Sequence, residues 1–237
     1  GIAQAALSAN ENIYENSAVS IYDLSNYHVN VNTKSGSVKA ERVVLACNGY
    51  LGNLEKRLNS KLLPMNNYIV ATNPLDNETV AKINPRDIAF ADSRFVINYF
   101  RLSADKRLLF GGGENYTQEL SKNILPIVTK PLEKIYPYLS GVKIEYAWGG
   151  KLAITMNRLP FYKEMNKGKV LSAQGYSGQG VALASYAGKV IAEKITGDGQ
   201  TFDTMANIPM QSFPGGRFLR NPTMKVGMFY HALLDRL

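Results

Sequence analysis

Apolar positions change rhythm several times along the chain, and each change marks an element. Residues 2 to 12 carry small apolar side chains at helical spacing and predict a helix ending near Asn12. From Ala18 the period shortens to two. Val19, Ile21 and Tyr22 open an extended run, Tyr27-His28-Val29-Asn30-Val31 continues it, and Lys34-Ser35-Gly36-Ser37 turns the chain into a third segment from Val38 to Arg42, a β-meander. Val43-Val44-Leu45-Ala46-Cys47 is a continuous apolar run, expected as a strand buried on both faces. Asn48-Gly49-Tyr50-Leu51-Gly52 breaks it, and residues 53 to 62 read as a short polar helix. A buried strand ending in a small-residue turn is where α/β sheets place ligands.

The middle of the chain differs. Tyr68 to Thr72, Ile88 to Phe90, Phe95 to Leu102 and Arg107 to Phe110 are strand-like, and Leu109-Phe110-Gly111-Gly112-Gly113 reads as a strand ending in a turn. Residues 118 to 139 read as helical, with Pro126, Pro131 and Pro137 interrupting or kinking the element. After Trp148-Gly149-Gly150 come strands at Leu152 to Thr155 and Val170 to Ala173. Gly175-Tyr176-Ser177-Gly178-Gln179-Gly180 then leads into the clearest helix, Val181 to Ile195. Ala184, Gly188 and Ala192 lie four apart, so that side of the helix could approach another backbone, and Gly197 suits its end. The expected fold is mixed α+β and α/β. Pieces of an α/β domain at 1–63 and 148–202 flank a mainly antiparallel sheet with a covering helix at 64–147, and a tail follows at 203–237.

Of the 237 residues 45% are apolar, enough for a sizeable core, and no run approaches the roughly 20 apolar residues of a membrane span. The opening Gly1-Ile2-Ala3-Gln4 has no initiator Met or signal peptide and already lies inside an amphipathic pattern, so it reads as cut from something longer. The single cysteine, Cys47, excludes an internal disulfide and suits a reducing compartment, the cytoplasm. His28 and His231 form no ligand cluster, so no metal site is expected. The net charge of +8 is spread over scattered lysines and arginines. It reads as a solvated basic surface, and a polyanion-binding module is a remote alternative.

The glycine-rich turn from Gly175 to Gly180 carries the chemistry. A turn of this kind before a helix exposes unpaired backbone N–H groups at the electropositive end, a place that stabilises negative charge. It is not a Walker A loop, because no glycine stands five residues before Gly188-Lys189. Leu183 occupies the third glycine position of a dinucleotide fingerprint, and Gln179 stands where a serine nucleophile elbow needs glycine.

Gly175-Tyr176-Ser177-Gly178-Gln179-Gly180-Val181-Ala182-Leu183-Ala184 resembles the C-terminal flavin motif of the D-amino acid oxidase-like (DAO) superfamily. Val43 to Tyr50, Leu109 to Gly113, and Trp148-Gly149-Gly150 through Arg158-Leu159-Pro160 agree in order and spacing. Within that superfamily the chain is most similar to gamma-glutamylputrescine oxidoreductase-like enzymes, which share a tail like Phe213-Pro214-Gly215-Gly216.

The resemblance implies a partial FAD-binding, Rossmann-like domain with an inserted antiparallel substrate domain. It implies an oxidation of an amine C–N bond in which hydride passes to flavin N5 and the imine hydrolyses. Ser177, Gly178, Gln179, Gly180 and Val181 would line the flavin edge that gains negative charge, Gly149 and Gly150 would approach the ring system, Cys47, Asn48 and Gly49 would close a nucleotide contact, and Val19 would meet adenine. No catalytic side chain is assigned. Amino-acid oxidases of the superfamily commonly hold the substrate carboxylate with an arginine after the Gly-Gly segment; here Lys151-Leu152-Ala153 follows, which implies a small amine substrate. The Gly-x-Gly-x-x-Gly turn that grips the ADP half in the family has no counterpart here, so FAD binding by this chain alone is expected to be weak or absent. Expected partners are a separately encoded amino-terminal half or a second copy; a non-enzymatic remnant or interaction subunit is the alternative. From the residues alone, Cys47 also reads as a small buried residue and Trp148 also reads as core.

Overall fold

The computed structural model describes residues 1–94, 97–115, 119–216, 219–220, 222 and 226. His231, the Phe95-Val96 start of one expected strand and residue 118 of the expected helix lie outside them. Helix α1 (Ile2–Ser8) is shorter than its pattern suggested and buries none of its residues. The meander forms as read, with β1 (Val19–Leu24), β2 (Val29–Thr33) and β3 (Ser37–Ala40) paired antiparallel in that order.

The next strand, β4 (Val43–Leu45), departs from expectation in length and burial. It lies at the edge of a three-stranded sheet ordered β10 (Phe161–Met165), β11 (Val170–Gln174), β4, with the β11–β4 pair parallel. Leu45 joins a core with Leu51, Leu58, Leu62, Phe161 and Val170. Val44 on the other side is 42% exposed, because the helix layer there covers its ladder partner Leu171 and not the sheet edge. Burial on both faces belongs to β11, every residue of which is buried. A short helix, α2 (Lys56–Asn59), leads into the middle of the chain.

There β5 (Leu63–Thr72) is the hub of a five-stranded sheet. Its order is β6 (Phe90–Ala91), β7 (Tyr99–Leu102), β8 (Leu108–Asn115), β5, β9 (Ile144–Ile154), with every pairing antiparallel. One face buries Tyr68, Val70, Leu108 and Phe110 against α4 (Leu125–Ile135), whose Val128 and Leu132 are fully buried. Pro126 sits in the first turn of α4, where its missing N–H costs nothing; Pro131 is accommodated inside, and Pro137 opens a separate 3-10 turn, Pro137–Leu139. The run Gly111-Gly112 is not the expected turn. It lies within β8, and a Cβ at Gly111 would stand 2.1 Å from the ring of Tyr99.

Several elements were not anticipated. Helix α3 (Asn77–Ile83) is capped by Asp76, whose carboxylate accepts from the Thr79 N–H at 2.8 Å, and β10 pairs with β11. Helix α5 (Gly180–Thr196) ends as expected at Gly197, with φ 109°, and α6 (Gln200–Ala206) follows. Ala187, Val190 and Ile191 of α5 pack on Leu171, Ala173, Tyr162 and Phe202. The small side of α5 makes no close approach: Ala184, Gly188 and Ala192 are exposed, and nothing lies within 4 Å of a Cβ placed at Gly188. Larger apolar side chains a position or two away win the burial because they remove more area from water.

Candidate functional site

Two turns converge on the end of β9. The first follows β4: Cys47 caps a 3-10 turn, Asn48–Tyr50, with Asn48 in the left-handed region at φ 47°. The Asn48 side-chain oxygen accepts the Gly175 N–H at 3.0 Å, joining this turn to the one after β11. Gly49 lies so close to β9 that a Cβ would stand 2.5 Å from the Lys151 carbonyl oxygen. The Lys151 N–H donates to the Tyr50 hydroxyl at 3.0 Å. In the second turn, the Ser177 N–H donates to the Ala153 carbonyl at 3.0 Å, and the Thr155 N–H reaches Ser177 Oγ at 3.4 Å.

The α5 N-terminus emerges from this junction. Gln179 occupies the cap position without a side-chain hydrogen bond to the helix, and Val181 is 98% exposed. The first-turn N–H groups therefore face outward at the positive end of a 17-residue helix. Gly178 has φ 95°, and no atom lies within 4 Å of the place a side chain would take.

Beside the junction is a cleft of about 220 Å³ on the sheet face opposite α4. Tyr50, Asn67, Ile69, Trp148, Gly149, Gly150, Lys151 and Leu152 line it. Asn67 and Ile69 alternate along β5 with buried Tyr68 and Val70, so strand period alone sends them to the cleft side. Trp148 pairs in register with Ile69 and is 44% exposed, so it is a wall of the cleft and not core. Among the described lining residues the one cation is Lys151, whose ammonium lies 5.9 Å from the centre of the Tyr50 ring.

A family profile described as FAD dependent oxidoreductase (DAO) matches residues 1–194. The chain belongs to that family. It is 39% identical over 236 residues to the probable oxidoreductase OrdL of Rhizobium meliloti (strain 1021), covering 100% of this chain and 54% of the relative. It is 37% identical over 226 residues to the gamma-glutamylputrescine oxidoreductase of Escherichia coli (strain K12), covering 95% and 53%. A crystal structure of glycine oxidase from Bacillus cereus ATCC 14579 superposes with a TM-score of 0.70 at 21% identity, covering 87% of this chain and 57% of that one, a likeness of fold. The chain spans about half the length of the curated relatives it matches.

Within this DAO-family chain, the residues expected at the flavin separate into groups. Cys47, Asn48 and Gly49 meet the Ser177–Val181 turn through the Asn48–Gly175 bond, and Gly149 and Gly150 line the adjoining cleft. Val19 belongs to the meander, paired with Thr33. Tyr50, Asn67, Ile69 and Leu152 were not singled out as lining residues from sequence; the alternation along β5 was the available signal for two of them. Among the described residues no helix is long and apolar enough to cross a membrane.

Cys47 is half-buried, and burial pushes its thiol pKa above the ordinary value. A raised pKa leaves less thiolate at a given pH, so iodoacetamide at pH 8 should alkylate Cys47 more slowly than free glutathione. Mass spectrometry against time checks this, and equal or faster labelling would contradict the burial.

Proposed function

We propose that this chain forms the flavin-ring edge and the substrate wall of an FAD-dependent amine oxidoreductase. The observation that carries the reading is the uncapped N-terminus of α5, which emerges from the junction that also frames the cleft. Outward N–H groups, an exposed Val181 and open space at Gly178 suit a group that bears or gains negative charge at that edge. When bound, FAD would supply the two-electron acceptor for the amine.

In this reading Ser177, Gly178, Gln179, Gly180 and Val181 present their backbone to the flavin. Gly149 and Gly150 admit the ring system, Cys47, Asn48 and Gly49 close a nucleotide contact, and Val19 meets the adenine. Residues 1–63 and 148–202 belong to the FAD domain, 64–147 to the substrate domain and 203–237 to a tail. The ADP half of the cofactor is held by a segment outside these residues, contiguous or separately encoded. The exposed apolar side chains of α1 and the open edge of β4 support a partner there or a second copy. The single cysteine is compatible with a cytoplasmic site of action.

Lys151 in place of an arginine favours amines over α-amino acids. An ammonium is a point charge without the two-pronged grip a guanidinium has on a carboxylate. The likeness to the gamma-glutamylputrescine oxidoreductase of Escherichia coli supports the same preference.

Purified after incubation with excess FAD, the 237-residue chain should keep little visible absorbance, whereas the chain supplied with an amino-terminal half that carries a Gly-x-Gly-x-x-Gly turn should retain flavin. In that pairing Gly178→Val should abolish retention while leaving the fold intact, at a backbone cost of about 1–2 kcal/mol. Anaerobic bleaching should be faster with aliphatic amines than with glycine or D-amino acids. Stoichiometric flavin on the chain alone, or fast reduction by glycine with amines inert, would defeat the corresponding part; failure of any chain to take up flavin would favour a non-enzymatic remnant or interaction subunit.

A further inference from the structure

The cleft face of the five-stranded sheet holds an arrangement that the flavin reading leaves unused. Tyr99 of β7 lies in register with Gly111 of β8, and its ring occupies the space that a side chain at Gly111 would fill. The bare glycine lets the phenol cross β8 to β5, where its hydroxyl donates to Oδ1 of Asn67. Tyr99 thereby fixes the amide of Asn67. With the oxygen engaged, the Nδ2 group is the side's remaining donor, and among the described residues it has no protein partner.

The surroundings of that donor select what it can bind. Asn67 shares the wall of the cleft with Ile69 and Trp148, which pair across β5 and β9, and Gly150 is its own ladder partner. Against such a wall a carboxylate would lose hydration and receive only a neutral N–H in return. A neutral carbonyl loses less and gains a full hydrogen bond. Lys151 does not change this balance at Asn67. Its ammonium lies towards the Tyr50 ring, and its backbone N–H is committed to the Tyr50 hydroxyl.

The geometry points to Asn67, held by Tyr99, as the specificity-determining residue that selects amines bearing a neutral oxygen acceptor, an amide carbonyl above all. This rests on the amine-oxidoreductase reading given above. Tyr99 is a positioning residue acting through Asn67.

Trp148 is the one tryptophan of the chain, so its fluorescence reports on this cleft directly. The test titrates the 237-residue chain with N-acetyl-1,4-diaminobutane, hexan-1-amine and 6-aminohexanoate, probes of similar length that differ in the distal group. The acetylated diamine should bind about three- to tenfold more tightly than hexan-1-amine, the worth of one neutral hydrogen bond. Asn67→Leu should bring that ratio to about one. Asn67→Asp, which can still accept from Tyr99 but offers no donor, should lower or invert it. Tyr99→Phe, which keeps the ring over Gly111, should reduce it part-way, a change that mere loss of packing would not produce. Equal affinity for the two amines, or a ratio that survives Asn67→Leu, overturns the role of Asn67 and leaves the amine reading standing. Tightest binding by 6-aminohexanoate, an aliphatic amine with a charged distal group, overturns the selection of a neutral acceptor and leaves the amine reading standing. No response to any probe at millimolar concentration overturns the role of Asn67, and the bleaching panel then decides the amine reading separately.

Discussion

Phe110→Ala should cost the chain about 3–5 kcal/mol of unfolding free energy, read from urea titration. Phe110 is fully buried on the face of β8 that packs against α4. Its ring stacks on Phe100 at 5.5 Å, and Phe100 stacks in turn on Phe90 at 5.3 Å and meets Tyr136 edge-on at 5.4 Å. Truncation removes both the transfer free energy and the contacts of a packed aromatic row, in a strand held on both sides by ladders that resist collapse into the hole. Phe110→Leu keeps most of the volume and should cost about 1.5 kcal/mol or less. A loss below about 1 kcal/mol for the alanine variant would mean that the sheet and α4 do not pack as described.

Gly49→Val should part the first turn from β9. The two nearest atoms to its Cβ are backbone oxygens, Lys151 O at 2.5 Å and Leu152 O at 2.8 Å, so no side chain can swing aside to make room. Relief requires moving the Asn48–Tyr50 turn as a body. That strains the Asn48–Gly175 and Tyr50–Lys151 hydrogen bonds together, at a cost of about 1–3 kcal/mol and, on the flavin reading proposed above, with loss of flavin retention when an amino-terminal half is supplied. Gly36→Ala is the control: nothing lies within 4 Å of its Cβ, and the change should stay within about 0.5 kcal/mol. Thermal unfolding of the pair, with visible absorbance for retention, checks both halves. Equal stability of the two variants would show that the junction is looser than its geometry.

Local signals were legible where one interaction settled the outcome. The alternation from Val19 to Arg42 could serve only strands, and the run from Gly175 to Ala184 announced a strand–turn–helix. The convergence of the two turns on β9 was not legible, because it depends on pairing between residues about a hundred positions apart, such as Tyr50 with Lys151. Trp148 reads equally as core or wall until its register against Ile69 is known. The three glycines after Phe110 suggested a turn because glycine usually frees the backbone; at Gly111 it vacates room for Tyr99 instead. Helix α3 was hidden by β-branched Thr79 and Val80, which a cap at Asp76 outweighs.

The attachment of the meander has a consequence for how the molecule opens. Its ties to the rest run through side chains: the Tyr22 hydroxyl donates to Glu55 at 2.7 Å, and the Lys169 ammonium donates to the carbonyls of Ser25 and Asn26. Its ladders, by contrast, are wholly internal. A unit bound in that way can detach while β4, β11 and α5 stay folded. Amide protons of β1 to β3 should therefore exchange with solvent as one cooperative block, at a lower free energy than those of β5 or β11, and neutralising Lys169 should lower that block alone.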